Sequence, residues 1–116
     1  MWVCYGSVMK AIPMRYDKSL KQFFVCEASD ATHITIDIPG PTRTLTVPVI
    51  QSGTRHGTPN WTWNGSVENP TLAPSLLTHG ENWTDHLFVT NGNCIFLSDC
   101  THEHKGNTLP LNEIQP

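Results

Sequence analysis

The stretch His86-Leu87-Phe88-Val89-Thr90-Asn91-Gly92-Asn93-Cys94-Ile95-Phe96-Leu97-Ser98-Asp99-Cys100 decides the fold. Two apolar segments flank Asn91-Gly92, the dipeptide that suits a two-residue type I′ turn because both central positions need positive φ. Pairing Thr90 with Asn93 sets Phe88 opposite Ile95 and His86 opposite Leu97. Side chains alternate along a strand, so His86, Phe88, Ile95, Leu97 and Asp99 share one face of this hairpin. Leu87, Val89, Cys94, Phe96, Ser98 and Cys100 share the other. The register therefore separates two sets of polar residues that the linear sequence presents as one cluster.

Working outward, the same period of two recurs. His33-Ile34-Thr35-Ile36-Asp37-Ile38 puts three isoleucines on one face, and Pro39-Gly40-Pro41 forces a turn after it. Arg43 to Ile50 alternates again, with Pro48 predicting an edge strand because proline cannot donate to a ladder. Gln51 to Pro59 reads as a polar loop. Trp61-Thr62-Trp63 places both indoles on one side of a short strand before an Asn64-Gly65 turn, and Asn69 to Pro74 reads as an extended connector. Asp17 to Phe24 would suit a short helix, but Phe23-Phe24-Val25 favours a strand. The expectation is a mainly β, single small domain of antiparallel strands and hairpins with long loops, residues 10–116, behind a loosely ordered lead, residues 1–9.

Composition agrees. A chain of 116 residues with nine prolines, eight glycines, 38% apolar and 15% charged residues has room for one modest core and many turns. A formal net charge of -3 leaves no broad basic surface for phosphates, so nucleic acid is not an expected partner. No stretch approaches the roughly 20 apolar residues that span a bilayer, and the first nine residues lack the pattern of a signal peptide. A cytoplasmic chain without a membrane partner is expected. The sequons at Asn60, Asn64 and Asn82 then read as loop chemistry, and Cys4, Cys26, Cys94 and Cys100 as thiols for which metal is a more natural use than disulfides.

Two constellations offer chemistry. Cys100 and His102 lie at i and i+2 of an extended exit from the hairpin and so point the same way, while Cys26 and His33 form a second pair across a loop. Together Cys26, His33, Cys100 and His102 make the four N/S ligands of a tetrahedral zinc site. The plain alternative is a buried cysteine beside surface histidines. Cys94 lies too far along the strand from Cys100 to join, and belongs to the core. The other constellation is Ser75, His86 and Asp99. A serine becomes a nucleophile when a base takes its proton, and that base works best when a third group holds its other ring nitrogen. Asp99 lies diagonal to His86 on one face, and Ser75 follows two prolines. A turn cap, a strand histidine and a hairpin end would account for the same three residues without catalysis.

Trp61-Thr62-Trp63-Asn64-Gly65, Asn69-Pro70-Thr71-Leu72-Ala73-Pro74-Ser75-Leu76, His86-Leu87-Phe88-Val89 and Phe96-Leu97-Ser98-Asp99-Cys100-Thr101-His102, with Gly106 and Thr108, resemble a family of small phage and bacterial proteins often mislabelled ammonia monooxygenase. The resemblance covers roughly residues 10–111. It implies an upstream Cys-Pro-x-Cys-x-x-x-His element, which here runs Cys26-Glu27-Ala28-Ser29-Asp30-Ala31-Thr32-His33, with Ser29 in place of the second cysteine. That departure weakens a zinc-knuckle corner, since a neutral hydroxyl is a poor zinc ligand. A wider circle of similar sequences, found beside bacterial ubiquitin-like conjugation genes and proposed as serine peptidases, keeps the Pro-Ser element and the His-aromatic strand without the downstream Cys-Thr-His. This kinship implies a zinc-stabilised, peptidase-like serine hydrolase acting on a protein or peptide: Ser75 as nucleophile, His86 as base, Asp99 as orienter and a structural zinc. If phage-encoded, it would act in the host cytoplasm. The rival expectation is a phage or bacterial accessory protein that binds a host or phage protein through Trp61, Trp63 and Trp83. A Ser75–His86 hydrogen bond would favour the enzyme, and exposed tryptophans over a buried Ser75 the binder.

Overall fold

A computed structural model describes residues 8–50 and 60–116. The expected loop at 51–59 and most of the lead lie outside the described residues. Nine strands run through those residues: β1 (Ile12–Asp17), β2 (Gln22–Val25), β3 (His33–Ile38), β4 (Arg43–Ile50), β5 (Trp61–Trp63), β6 (Leu72–His79), β7 (Thr84–Thr90), β8 (Asn93–Phe96) and β9 (Thr108–Pro110). The only helical turn among the described residues is a 3-10 turn, Ala28–Asp30. The strands form one sheet in the order β2-β1-β3-β4-β5-β6-β7-β8-β9. Every neighbouring pair is antiparallel except β4 and β5, which run parallel through Val49↔Trp61 and Ile50↔Thr62. The mainly β expectation holds.

Alternation decides which face is inside. Ile34, Ile36 and Ile38 of β3, Val47 and Val49 of β4, Trp63, Leu72, Leu76, Leu87, Val89, Cys94 and Phe96 join one buried cluster. A sheet in which β3 to β8 give one face to a single cluster must curl on itself, as native strand twist allows, while β2 stays exposed along its length. Backbone bonds across the curl close it: Lys10 and Ala11 N–H donate to the Val67 carbonyl (2.8 and 3.2 Å), and Asn112 N–H to the Asp37 carbonyl (2.9 Å). Met9 is buried, and its carbonyl accepts from Ile114 N–H.

The β7–β8 hairpin has the register the Asn-Gly dipeptide dictates: Thr90↔Asn93, Val89↔Cys94, Phe88↔Ile95. Asn91 and Gly92 have φ of 49° and 78°, the left-handed values a type I′ turn needs. Leu97 N–H donates to the His86 carbonyl at 2.9 Å, which extends the pairing to the expected His86–Leu97 position.

Two local expectations need correction. Pro48 does not mark an edge, because β4 lies between β3 and β5. Val49 N–H points to β3, where it donates to the Thr32 carbonyl. Amide directions alternate along a strand, so the donor that Pro48 lacks would point to the other side. There β5 pairs from Val49 onward among the described residues, so no described ladder bond calls for that donor. The supposed connector ending at Pro74 is partly strand: β6 begins at Leu72, and its register with β7 shifts between Leu72 and Leu76. That irregularity accommodates Pro74 and leaves Ser75 beside it.

Candidate active site and metal-ligating cluster

His86 lies on the outer face of β7, between the inward-facing Asp85 and Leu87. Leu76↔Leu87 and Leu77↔His86 fix β6 against it, and Ser75 stands where the regular register resumes. The Ser75 backbone is held from β5, whose Trp61 indole N–H donates to the Ser75 carbonyl at 3.2 Å. Asp99 comes from the tight turn after β8, closed by Cys100 N–H donating to the Leu97 carbonyl at 3.2 Å.

These three elements bring the predicted hydroxyl, imidazole and carboxylate into one line. Ser75 Oγ lies 2.9 Å from His86 Nε2, and His86 Nδ1 lies 2.9 and 3.1 Å from the two oxygens of Asp99. The hydrogen bond to His86 holds the Asp99 carboxyl below its ordinary range, so at neutral pH it is an acceptor only. In the neutral ring Nδ1 therefore carries the proton and gives it to Asp99. Nε2 is left with its lone pair facing the serine hydroxyl, the protonation pattern that a general base needs. The site is open: side-chain exposure is 23% for His86 and 58% for Asp99. Phe88, Ile95 and Leu77, all exposed, flank it on the same face.

Behind this line, on the inner side of β7, lies a second polar group. Asp85 (0% exposed), Cys100 and His102 offer ligand atoms that all lie within 4.8 Å of one another. Asp85 Oδ1 is 2.8 Å from His102 Nε2, and Thr42 Oγ donates to Asp85 Oδ2 at 2.6 Å. Carboxylate, thiol and imidazole together are a borderline-soft donor set that could hold a zinc-type ion. His104 N–H donates to His102 Nδ1 at 3.2 Å, so without an ion Nε2 carries the ring proton and donates it to Asp85. An ion at Nε2 would move that proton to Nδ1 and replace two hydrogen bonds, the one to Asp85 and the one from His104 N–H. Burial raises the Cys100 thiol above its ordinary range, and metal binding would draw that proton off.

The structure thus brings Cys100 and His102 together but does not bring Cys26 and His33 to them. His33 opens β3, whereas the turn that follows β3 touches His102: a side chain at Gly40 would meet that imidazole at 3.6 Å. The length of β3, about 17 Å at 3.3 Å per residue, separates the two ends. His33 instead packs edge-on against Phe23, with Thr32 Oγ 2.8 Å from its Nδ1, and Cys26 N–H donates to the Pro13 carbonyl. Asp85 escaped the sequence reading. Its signal was parity: it shares the inward face with Leu87 and Val89, and a carboxylate there must find partners.

Of the tryptophans considered for a binding surface, Trp63 is buried and Trp61 packs against the core. Trp83 is half-buried, its indole lying where a side chain at Gly80 would stand. An open hollow of about 400 Å³ lies at the β3–β4 turn, lined by Asp37, Ile38, Pro39, Gly40, Arg43, Thr44 and Asn112. None of the Ser-His-Asp residues lines it.

A hydroxyl, an imidazole and a carboxylate in sequence define the class of arrangement used for acyl transfer through serine. A family model described as BubE, bacterial ubiquitination-like system serine protease, matches residues 9–97. The chain belongs to this family. No curated protein and no solved structure matches it. The matched stretch contains Ser75, His86 and Asp85 and stops short of Asp99, Cys100 and His102.

Proposed function

We propose that this chain is a peptidase-like serine hydrolase in which Ser75 is the nucleophile, His86 the general base and Asp99 the group that orients it. The observation that carries the reading is the unbroken line from Ser75 Oγ through His86 to Asp99, at 2.9 Å on each side of the ring. Family membership supports the same chemistry. His86 Nε2 takes the hydroxyl proton as Oγ attacks a carbonyl carbon, giving a tetrahedral intermediate. His86 then returns the proton to the leaving amine as the C–N bond breaks. Water deacylates Ser75 by the same proton path in reverse. Asp99 keeps Nδ1 protonated and the ring in plane throughout.

The substrate class that fits the family's description is a protein or peptide of a bacterial ubiquitin-like system. The residues that would hold a zinc-type ion in this reading are Asp85, Cys100 and His102, which would offer it one oxygen, one sulfur and one nitrogen ligand. The sequence resemblance supports a phage-type member that works in a bacterial cytoplasm. The test is hydrolysis of an activated ester and of a peptide conjugate by wild type and Ser75→Ala. Turnover that disappears in the variant supports the proposal, and equal turnover in both proteins refutes it.

A further inference from the structure

The serine-centred line and the Asp85/Cys100/His102 cluster lie back to back. Asp85 and His86 are consecutive on β7, one facing in and the other out, and Asp99 and Cys100 are consecutive in the exit turn. A direct link joins the two pairs: His86 N–H donates to Cys100 Sγ at 3.3 Å, and the Cys100 thiol donates to the His86 carbonyl at 3.2 Å. Backbone donors to sulfur are the partners that metal-bound thiolates commonly recruit.

Asp99 needs such support. Its side chain is 58% exposed on a tight turn, and its carboxylate has His86 as its side-chain partner. What ties that turn to the sheet is the residue after it, Cys100, which is buried (3% exposed) against β7, and then Thr101, whose N–H donates to the Thr84 carbonyl at 3.0 Å. An ion shared by Asp85 and Cys100 would fix the neighbours of both partners of the Asp99–His86 hydrogen bond at once. His102 would add the following segment, and the Thr42 hydroxyl on Asp85 would bring in the β3–β4 turn.

We infer that Asp85, Cys100 and His102 bind one zinc-type ion, and that this ion is a positioning element that holds Asp99 and His86 in line with Ser75. The positioning role rests on the serine hydrolase reading; the ion site does not. Removal of the ion loosens the exit turn, lets Asp99 leave Nδ1 and lowers the reactivity of Ser75 while the sheet remains folded.

The test uses the full chain. Metal content is measured by elemental analysis, and cobalt(II) replaces the native ion so that a sulfur-to-cobalt absorption band reports Cys100. The His86 Nδ1 proton resonance reports the Asp99 contact, circular dichroism the fold, and the rate of fluorophosphonate labelling the Ser75 hydroxyl. A single ion per chain, absent in Cys100→Ser and His102→Ala, is expected. In wild type, a chelator should lower the labelling rate by about tenfold or more and weaken the His86 resonance, and zinc should restore both. Chains without an ion, or an ion that both variants retain, overturn the site. An ion whose removal changes neither labelling nor the His86 resonance overturns the positioning role, as does removal that unfolds the sheet. Loaded wild type that never labels would fail the serine reading and the positioning role with it, while metal content and the cobalt band would still decide the ion site.

Discussion

Asp99 and Cys94 show how far one residue's surroundings set its chemistry. Asp99 supplies only orientation and charge to His86, from a half-exposed turn. Asp99→Asn, which can present a donor to Nδ1 and so favour the wrong tautomer, should lower turnover on the order of a hundredfold or more while leaving the fold intact. Steady-state rates beside thermal melting check this. Cys94 lies on the opposite face, fully buried, with its thiol pushed up to about 12 by burial. Only the thiolate reacts, so at pH 8 Cys94 should resist iodoacetamide until the chain unfolds, whereas the partly exposed Cys26 is modified first. Mass spectrometry of digests taken along a urea series measures both. At this scale the placing of Asp99 beside His86 was legible because a hairpin register is local arithmetic, whereas Ser75 lies outside the hairpin and stands out only by the prolines before it and the Pro-Ser element. Asp85 was not legible, because its role depends on Thr42 and His102, which the fold brings from distant parts of the chain.

The decisive element is the β7–β8 hairpin. Its turn fixes which residues face outward, and so sets His86 on the face that meets Ser75 and Asp85 on the face that meets Cys100. Gly92 has φ of 78°, and a side chain there would stand 3.2 Å from Lys10 Cδ and 3.4 Å from Asn69 Cα. The lysine tail can move, but the asparagine backbone is less free. Gly92→Ala should therefore destabilise by about 1–2 kcal/mol, measurable by urea unfolding, with the larger loss if Asn69 is displaced. The same arithmetic places Asp99 and Cys100 on opposite faces from the sequence alone. The Pro48 strand misled because proline bars a ladder bond on one side only. Which side is free depends on where β5 begins, and that is set by a parallel pairing across the 51–59 segment that no local pattern encodes.

At the scale of the molecule, the curl turns a row of alternating strands into a support for both sites. Its inner face packs Ile34, Ile36, Ile38, Leu76, Leu87, Val89 and Phe96 together, and its closure brings the β3–β4 turn against His102. The period of two was visible in the sequence and so was the mainly β class, but strand order and closure were not, because they rest on contacts between residues far apart in the chain. Ile36 is completely buried at the centre of β3. Ile36→Ala should cost about 2–5 kcal/mol, a large share of what a domain of this size possesses, and should lower the melting temperature. Labelling at Ser75, followed along the same melt, should disappear with the fold, because the sheet carries Ser75, His86 and the turn that bears Asp99. The central claim, that Ser75 is an activated nucleophile, is tested most directly by reacting the folded chain with a fluorophosphonate and mapping the adduct by peptide mass spectrometry. The account predicts one adduct, on Ser75, that is lost in His86→Ala and on unfolding. A folded wild-type chain that stays unmodified, or one modified elsewhere with Ser75 untouched, would contradict it.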